Sequence, residues 1–268
     1  MSFVSVSDIF QFYGKRPILE RVNLEVAEGE FVSIVGASGC GKSTFLRLLL
    51  AQERPTRGAI SIDGRPPAQE PDRDRGVVFQ RYSVFPHMTV RGNLIAAEEL
   101  GGGRARLLPR FFGARRRAAA KRADAALERI GLAHVADQYP ASLSGGMQQR
   151  LAIAQALAGR PRVLLLDEPF GALDPGTRVA MHGFLQDLRA ETNMTVFMVS
   201  HDLEEAFKLG DRVLVFDKPR WDPIEPEAYG ATITYDFDAR DGGIPYQNRP
   251  FAETPTSDHQ EDDHVPQV

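Results

Sequence analysis

Between a dense apolar run, Phe31 to Val35, and a helical pattern that opens near Lys42 lies the segment GASGCGKS, Gly36 to Ser43. FVSIVG reads as a buried strand of a parallel sheet, because its apolar residues run on without alternation. After Lys42, Phe45, Leu46, Leu48, Leu49 and Leu50 crowd one side of a helix until Pro55 stops it. Strand, glycine loop and helix in immediate succession commit this part of the chain to the βα unit of an α/β sheet. Gly36, Gly39 and Gly41 let the backbone turn tightly and aim its N–H groups at an anion held over the positive end of the helix. Ala37, Ser38 and Cys40 lend their backbone to the same cradle. Lys42 supplies a compact cation for the outer phosphates of a nucleotide, the Ser43 hydroxyl can complete the coordination of Mg²⁺, and Thr44 is a further phosphate contact. The segment fits the phosphate-binding pattern GxxxxGKS in the context that pattern requires. Cys40 is expected to pack beneath the turn, with its pKa open to lowering by the nearby helix N-terminus.

A second constraint lies further along. In VLLLDEP, Val163 to Leu166 read as a buried strand, so Asp167 and Glu168 emerge at its carboxyl end, where ligands of open α/β sheets bind. Asp167 suits a water-mediated Mg²⁺ contact, and Glu168 is placed to orient or deprotonate an attacking water. Other elements fill the interval and the flanks. Val4, Val6 and Ile9, then Val22, Leu24 and Val26, alternate as half-buried strands do. GVVFQ is a short strand ending at Gln80, and residues 81–142 read mostly as helix and polar loop. Ser144 can cap a helix from about Met147 to Ala158. A helix around Arg178 to Glu191, the strand TVFMVSH, a short helix from Leu203 to Leu209 and the strand RVLVFD complete the alternation. Beyond Asp217 the expected order weakens, with strand alternation only in ATITYDF and a terminus that reads as disordered.

Composition narrows the class. The chain has 268 residues, 43% of them apolar and 25% charged, enough for a sizeable core. No apolar stretch reaches the length of a spanning helix, and the N-terminus lacks the pattern of a secretion signal, so a cytoplasmic location is expected. Cys40 is the single cysteine, which excludes an internal disulfide and a multi-cysteine metal site. The net charge of −4 conceals an asymmetry, since residues 222–268 carry eleven acidic residues against Arg240 and Arg249, a balance of −9 that leaves about +5 on the rest.

Taken in order, GASGCGKS, LSGGMQQR, LLLDEPFGALD and VSHD resemble the ATPase domains of ABC proteins, over roughly residues 3–217. The resemblance implies a P-loop NTPase (RecA-like) core with an N-terminal antiparallel β subdomain and an inserted α-helical subdomain. Residues 1–80 and 150–217 would form the core with the β subdomain, 81–149 the helical part with the signature segment, and 218–268 an acidic extension. The ligands implied are ATP and Mg²⁺. Two copies would face head to tail, each nucleotide held between one P-loop and Ser144, Gly145 and Gly146 of the other. By the same resemblance Gln80 contacts Mg²⁺ and the attacking water, His201 touches the γ-phosphate, Asp174 lies in the loop that crosses the dimer, and Tyr13 stacks on adenine. Taken alone, LSGGM could be only a helix cap, and a lone Gln80 or His201 only local chemistry.

FQRYSVFPHMTVRGN, YPASLSGGMQQR and EPFGALD are similar in wording to bacterial importers of the nitrate, sulfonate and taurine type. That similarity implies an ATPase at the cytoplasmic face of the inner membrane, working with permease subunits and, through them, an extracytoplasmic solute-binding protein. An exporter or lipid-extraction ATPase shares every site residue named. A non-transport ABC protein acting on nucleic acid would need tandem cassettes or long coiled coils, and the negative net charge argues against it as well. The insert LGGGRARLLPRFFGARRRAAAKR extends the helical region with a basic face suited to permease or lipid headgroups, or simply to solvent.

Overall fold

A computed structural model describes residues 2–67, 74–79, 84–100, 113–220, 224–225, 228–240 and 244–245. Two sheets organise them. The smaller is antiparallel, with β1 (Val4–Tyr13) between β2 (Arg16–Val26) and β4 (Arg57–Ile62). It is the antiparallel β subdomain that the resemblance implies, and its strands β1 and β2 hold the alternating Val4, Val6, Val22 and Leu24.

In the larger sheet β3 (Phe31–Gly36), β5 (Arg75–Val78), β6 (Val163–Asp167), β7 (Thr195–Val199) and β8 (Arg212–Asp217) run parallel in the order β8-β3-β7-β6-β5. β9 (Thr232–Asp238) and the short β10 (Ile244–Pro245) extend it antiparallel beyond β8. ATITYDF therefore does form a strand, and the core sheet continues past Asp217 into the acidic extension.

Why the parallel strands show no alternation follows from their burial on both faces. Leu164, Leu166, Val196 and Met198 pack on one side with the helical region, in a cluster that includes Leu94, Leu127, Leu151 and Leu185. Val163, Leu165, Phe197, Val32 and Ile34 turn to the other side, against Phe45, Leu49, Phe216 and the β subdomain residues Ile9, Leu19 and Val22. Each large side chain fully buried there stabilises the fold by ~1.5–3 kcal/mol before conformational entropy is charged against it.

Helices α1 (Lys42–Leu49), α2 (Val90–Leu100), α3 (Ala114–Arg129), α4 (Gly145–Ala158), α5 (Pro175–Thr192) and α6 (Leu203–Leu209) connect or flank the strands. The insert's arginines fall partly on α3, whose Arg116, Arg117 and Lys121 are exposed. The part at 101–112 lies outside the described residues.

Candidate functional site

The carboxyl ends of β3 and β6 reach the same edge of the sheet. Ile34 of β3 and Asp167 of β6 both pair with Val199 of the intervening β7. Gly36 and Glu168, just beyond, thus leave the sheet on the edge where open α/β sheets bind ligands.

At Gly36 the chain has φ of 147°, and a Cβ there would sit 2.1 Å from the Phe216 carbonyl of the adjacent β8. Gly39 and Gly41 also have positive φ, at 79° and 85°, a region glycine enters without steric cost. Lys42 curls back so that its Nζ donates to the carbonyls of Gly36 at 2.7 Å and Ala37 at 2.8 Å. The ammonium is thereby held across the mouth of its own loop.

The helix N-termini are of two kinds: α1 and α3 begin at Gly41 and Gly113 with no side-chain cap, while α4, α5 and α6 carry one. Ser144, Asp174 and Asp202 cap α4, α5 and α6 with side-chain oxygens, whereas Gly41 at the N-cap of α1 offers no side chain and the first turn holds no acid. The first N–H donors of α1 lack the acceptor that α4, α5 and α6 carry, so a bound anion has donors to engage. For Mg²⁺, the half-buried Ser43 hydroxyl and Asp167 carboxylate are the residues that would hold it, and oxygen donors are the type a hard cation takes. Among the described residues no group of three or more His, Cys, Asp and Glu side chains could hold a metal ion. Bound at Ser43 and Asp167, Mg²⁺ would supply charge neutralisation at phosphate oxygens.

Cys40 corrects one expectation. Its side chain is buried under the loop, and burial raises the thiol pKa above its ordinary value by more than the nearby Lys42 lowers it. Desolvation of the thiolate outweighs the cation and the helix end.

Beyond Asp167 the backbone does something unusual for a residue with a side chain: Glu168 has φ of 51°. Its N–H donates to the Val199 carbonyl at 3.0 Å, and Gln149 of α4 reaches its carbonyl through Nε2 at 3.4 Å. These contacts hold the left-handed conformation, which aims the carboxylate at His201, with Oε2 3.8 Å from Nδ1. Phe170, Gly171, Arg178, Ser200, Asp202 and Glu205 line the small recess around the pair. His201 is 69% exposed at its side chain, so it can meet a ligand arriving from outside the chain.

Ser144 stands exposed at the N-terminus of α4, its Oγ accepting from the Met147 N–H at 3.3 Å, with Gly145 and Gly146 opening the first turn. The helix begins two residues earlier than the apolar pattern indicated. Asp174 caps α5, which starts at Pro175, and accepts from the Thr177 N–H at 3.0 Å; the Thr177 side chain, and after it that N–H, hold its carboxyl below the usual value. Tyr13 is 44% exposed; its hydroxyl donates to Glu53 at 2.7 Å and accepts from Arg47 at 3.4 Å, leaving the ring partly open to solvent. Gln80 lies outside the described residues. Sequence reasoning passed over Gln149, His182 and Glu205, because a buried polar residue on a helix carries no local signal of what it will meet.

Residues 19–171 match the family model described as ABC transporter. The chain belongs to the ABC transporter family. Among curated members of that family, it is 46% identical over 198 residues to the bicarbonate transport ATP-binding protein CmpC of Synechococcus elongatus, 74% of this chain and 28% of that protein. To the nitrate import ATP-binding protein NrtD of Synechocystis sp. it is 44% identical over 210 residues, 76% of this chain and 73% of that one. The aliphatic sulfonates import ATP-binding protein SsuB of Burkholderia ambifaria is 42% identical over 217 residues, 81% of this chain and 62% of the relative. This chain therefore spans little more than a quarter of the first of these proteins and most of the second. A dimeric ATP-binding cassette solved in a post-hydrolysis state with ADP and phosphate superposes with a TM-score of 0.71 at 32% identity, covering 88% of this chain and 99% of that one. The mixed α/β architecture with its antiparallel β subdomain is the ABC ATPase fold.

Proposed function

We propose that this chain binds and hydrolyses ATP as the motor subunit of an ABC importer of a small solute. The observation that carries the reading is the Glu168 carboxylate, held by an unusual backbone 3.8 Å from His201, on the sheet edge it shares with the Gly36–Ser43 loop. A carboxylate so placed can orient a water or take its proton, while the exposed imidazole can donate to a γ-phosphate oxygen. Lys42, freed from its own loop carbonyls, would exchange them for phosphate oxygens, which return a full charge interaction.

The half-site argument follows from the ends of the helices. Ser144, Gly145 and Gly146 expose the positive end of α4, and an anion complementing it would have to come from a second copy's nucleotide. A head-to-tail pair of chains meets that requirement and places each Asp174 at the start of a helix near the seam. Among the described residues no helix is long and apolar enough to cross a membrane. Contact with the bilayer would therefore run through permease subunits, with a solute-binding protein on their far side. Relatives named for bicarbonate, nitrate, aliphatic sulfonates and spermidine or putrescine span several chemistries, so the transported solute is set by those partners and not by residues of this chain.

The test is Glu168→Gln. ATP binding should persist while turnover falls by ~10²-fold or more, and ATP should convert the variant to a stable dimer on a sizing column. Ordinary hydrolysis by that variant would remove Glu168 from the role.

A further inference from the structure

Behind the Glu168–His201 pair lies a buried polar chain that the proposed chemistry does not use. His182 of α5 and Glu205 of α6 are 6% and 8% exposed, and His182 Nε2 sits 3.0 Å from Glu205 Oε1. The other carboxylate oxygen, Oε2, is 2.6 Å from Ser200 Oγ. Hydrogen counting fixes the directions. Ser200 has one hydroxyl hydrogen; of its two acceptors, Glu205 Oε2 at 2.6 Å and the Asp202 carbonyl at 3.3 Å, the carboxylate is the closer and charged one, and Oγ accepts from the Asp202 N–H at 3.1 Å. The ionised Glu205 can then accept from His182 only if Nε2 carries the proton, and Nδ1 is left buried with no hydrogen-bond partner among the described residues. The Glu205 N–H in turn donates to Asp202 Oδ1 at 3.1 Å.

Two ends of this chain matter. At one end Ser200 is the residue immediately before His201. At the other, the His182 ring meets Phe170 edge to face, centroids 4.7 Å apart, and Phe170 follows Glu168 by two residues. One imidazole thus braces both loops that bear the Glu168–His201 pair. It also ties α5, whose N-terminus is capped by Asp174, to α6, whose N-terminus is capped by Asp202.

We propose that His182 is a positioning residue: through Glu205 and Ser200 it sets the place of His201, and through Phe170 that of Glu168, so that the two side chains meet a bound nucleotide together. This rests on the reading that Glu168 and His201 act on ATP. Displacing reacting groups by a fraction of an ångström to one ångström costs turnover far more than affinity, since the P-loop holds most of the substrate.

The experiment measures steady-state ATP hydrolysis and thermal unfolding of the full chain. His182→Leu should lower kcat by ~10-fold and leave KM for ATP within ~2-fold. His182→Gln, whose amide N–H can reach Glu205 in place of Nε2–H, should restore most of the lost kcat. Because His182→Leu strands a buried carboxylate, the double variant His182→Leu/Glu205→Leu serves as the control: it removes that charge, and the Ser200 hydroxyl it releases has the Asp202 carbonyl at 3.3 Å, so stability should return. If kcat stays low in that stable double variant, positioning is supported; if kcat recovers with stability, His182 is only structural and the proposal is overturned. A parent-like kcat in His182→Leu, or a loss confined to KM, overturns it equally. Glu168→Gln and His201→Ala are run alongside. Parent-like turnover in those two would sink the site reading itself, whereas their loss of turnover beside a fully active His182→Leu would sink this inference alone.

Discussion

Gly36 is the residue at which the loop's geometry is least negotiable. A methyl group there would meet the Phe216 carbonyl at 2.1 Å, and that carbonyl is fixed by pairing of β3 with β8. Gly36→Ala must therefore strain φ and push a strand, and we expect a loss of about 3 kcal/mol or more in urea unfolding. Cys40 gives a kinetic counterpart. With the thiol buried and its pKa raised, labelling by an uncharged maleimide near neutral pH should be far slower than for a free thiol and should accelerate with sub-denaturing urea. Labelled protein should lose nucleotide binding, because the adduct has no room beneath the loop. Rapid, complete labelling with binding intact would contradict the packing. The cradle was legible in the sequence because it is local: eight consecutive residues carry the glycines, the lysine and the hydroxyl together. The sign of the Cys40 shift was not, since it depends on how much neighbouring chain covers the sulfur.

At the scale of elements, the helix ends divide by what they are left to bind. Ser144→Ala removes the cap of α4 and should cost ~0.5–2 kcal/mol of stability. Asp174 adds a pH signature at α5. Its folded pKa lies below the ordinary carboxylate value because the Thr177 N–H and hydroxyl hydrogen-bond the ionised form. A depressed folded pKa means a stabilising contribution that is complete above the unfolded pKa and disappears as pH falls through the folded one. The stability difference between the parent and Asp174→Asn should accordingly be present at neutral pH and vanish in acid, below the usual carboxylate range; a difference independent of pH would show that ionisation of Asp174 does not supply it. Sequence reasoning found Ser144 as a cap because a hydroxyl residue directly before an apolar-periodic stretch is a local signal. It could not find the His182–Glu205 pair: the two are 23 residues apart on helices that meet only after β7 has crossed between them.

Among the described residues a seven-stranded sheet carries α2 to α5 on one face and α1 with the small antiparallel sheet on the other, and its far edge is built from the acidic extension. Alternation in ATITYDF was enough to expect a strand, but nothing local told which edge it would join. The decisive contact is long-range. Arg212 of β8, 6% exposed, is bound in two places by Asp236 of β9 and also donates to the Glu25 carbonyl of β2 at 2.6 Å. One guanidinium therefore joins the core strand, the extension and the β subdomain. Removing Asp236 takes two hydrogen bonds from this buried cation, while the Glu25 carbonyl at 2.6 Å and the Glu30 carboxylate at 3.8 Å stay beside it. Asp236 is itself 27% exposed, so Asp236→Ala should destabilise the chain by ~2 kcal/mol, less than loss of one member of a fully buried pair. Ending the chain at Asp217 should cost more than that, since it removes β9, opens the edge of β8 and strips cover from Val213 and Val215. If the chain ending at Asp217 unfolds at the same urea concentration as the full chain, β9 is an appendage to the sheet and the reading of Arg212 as its anchor fails.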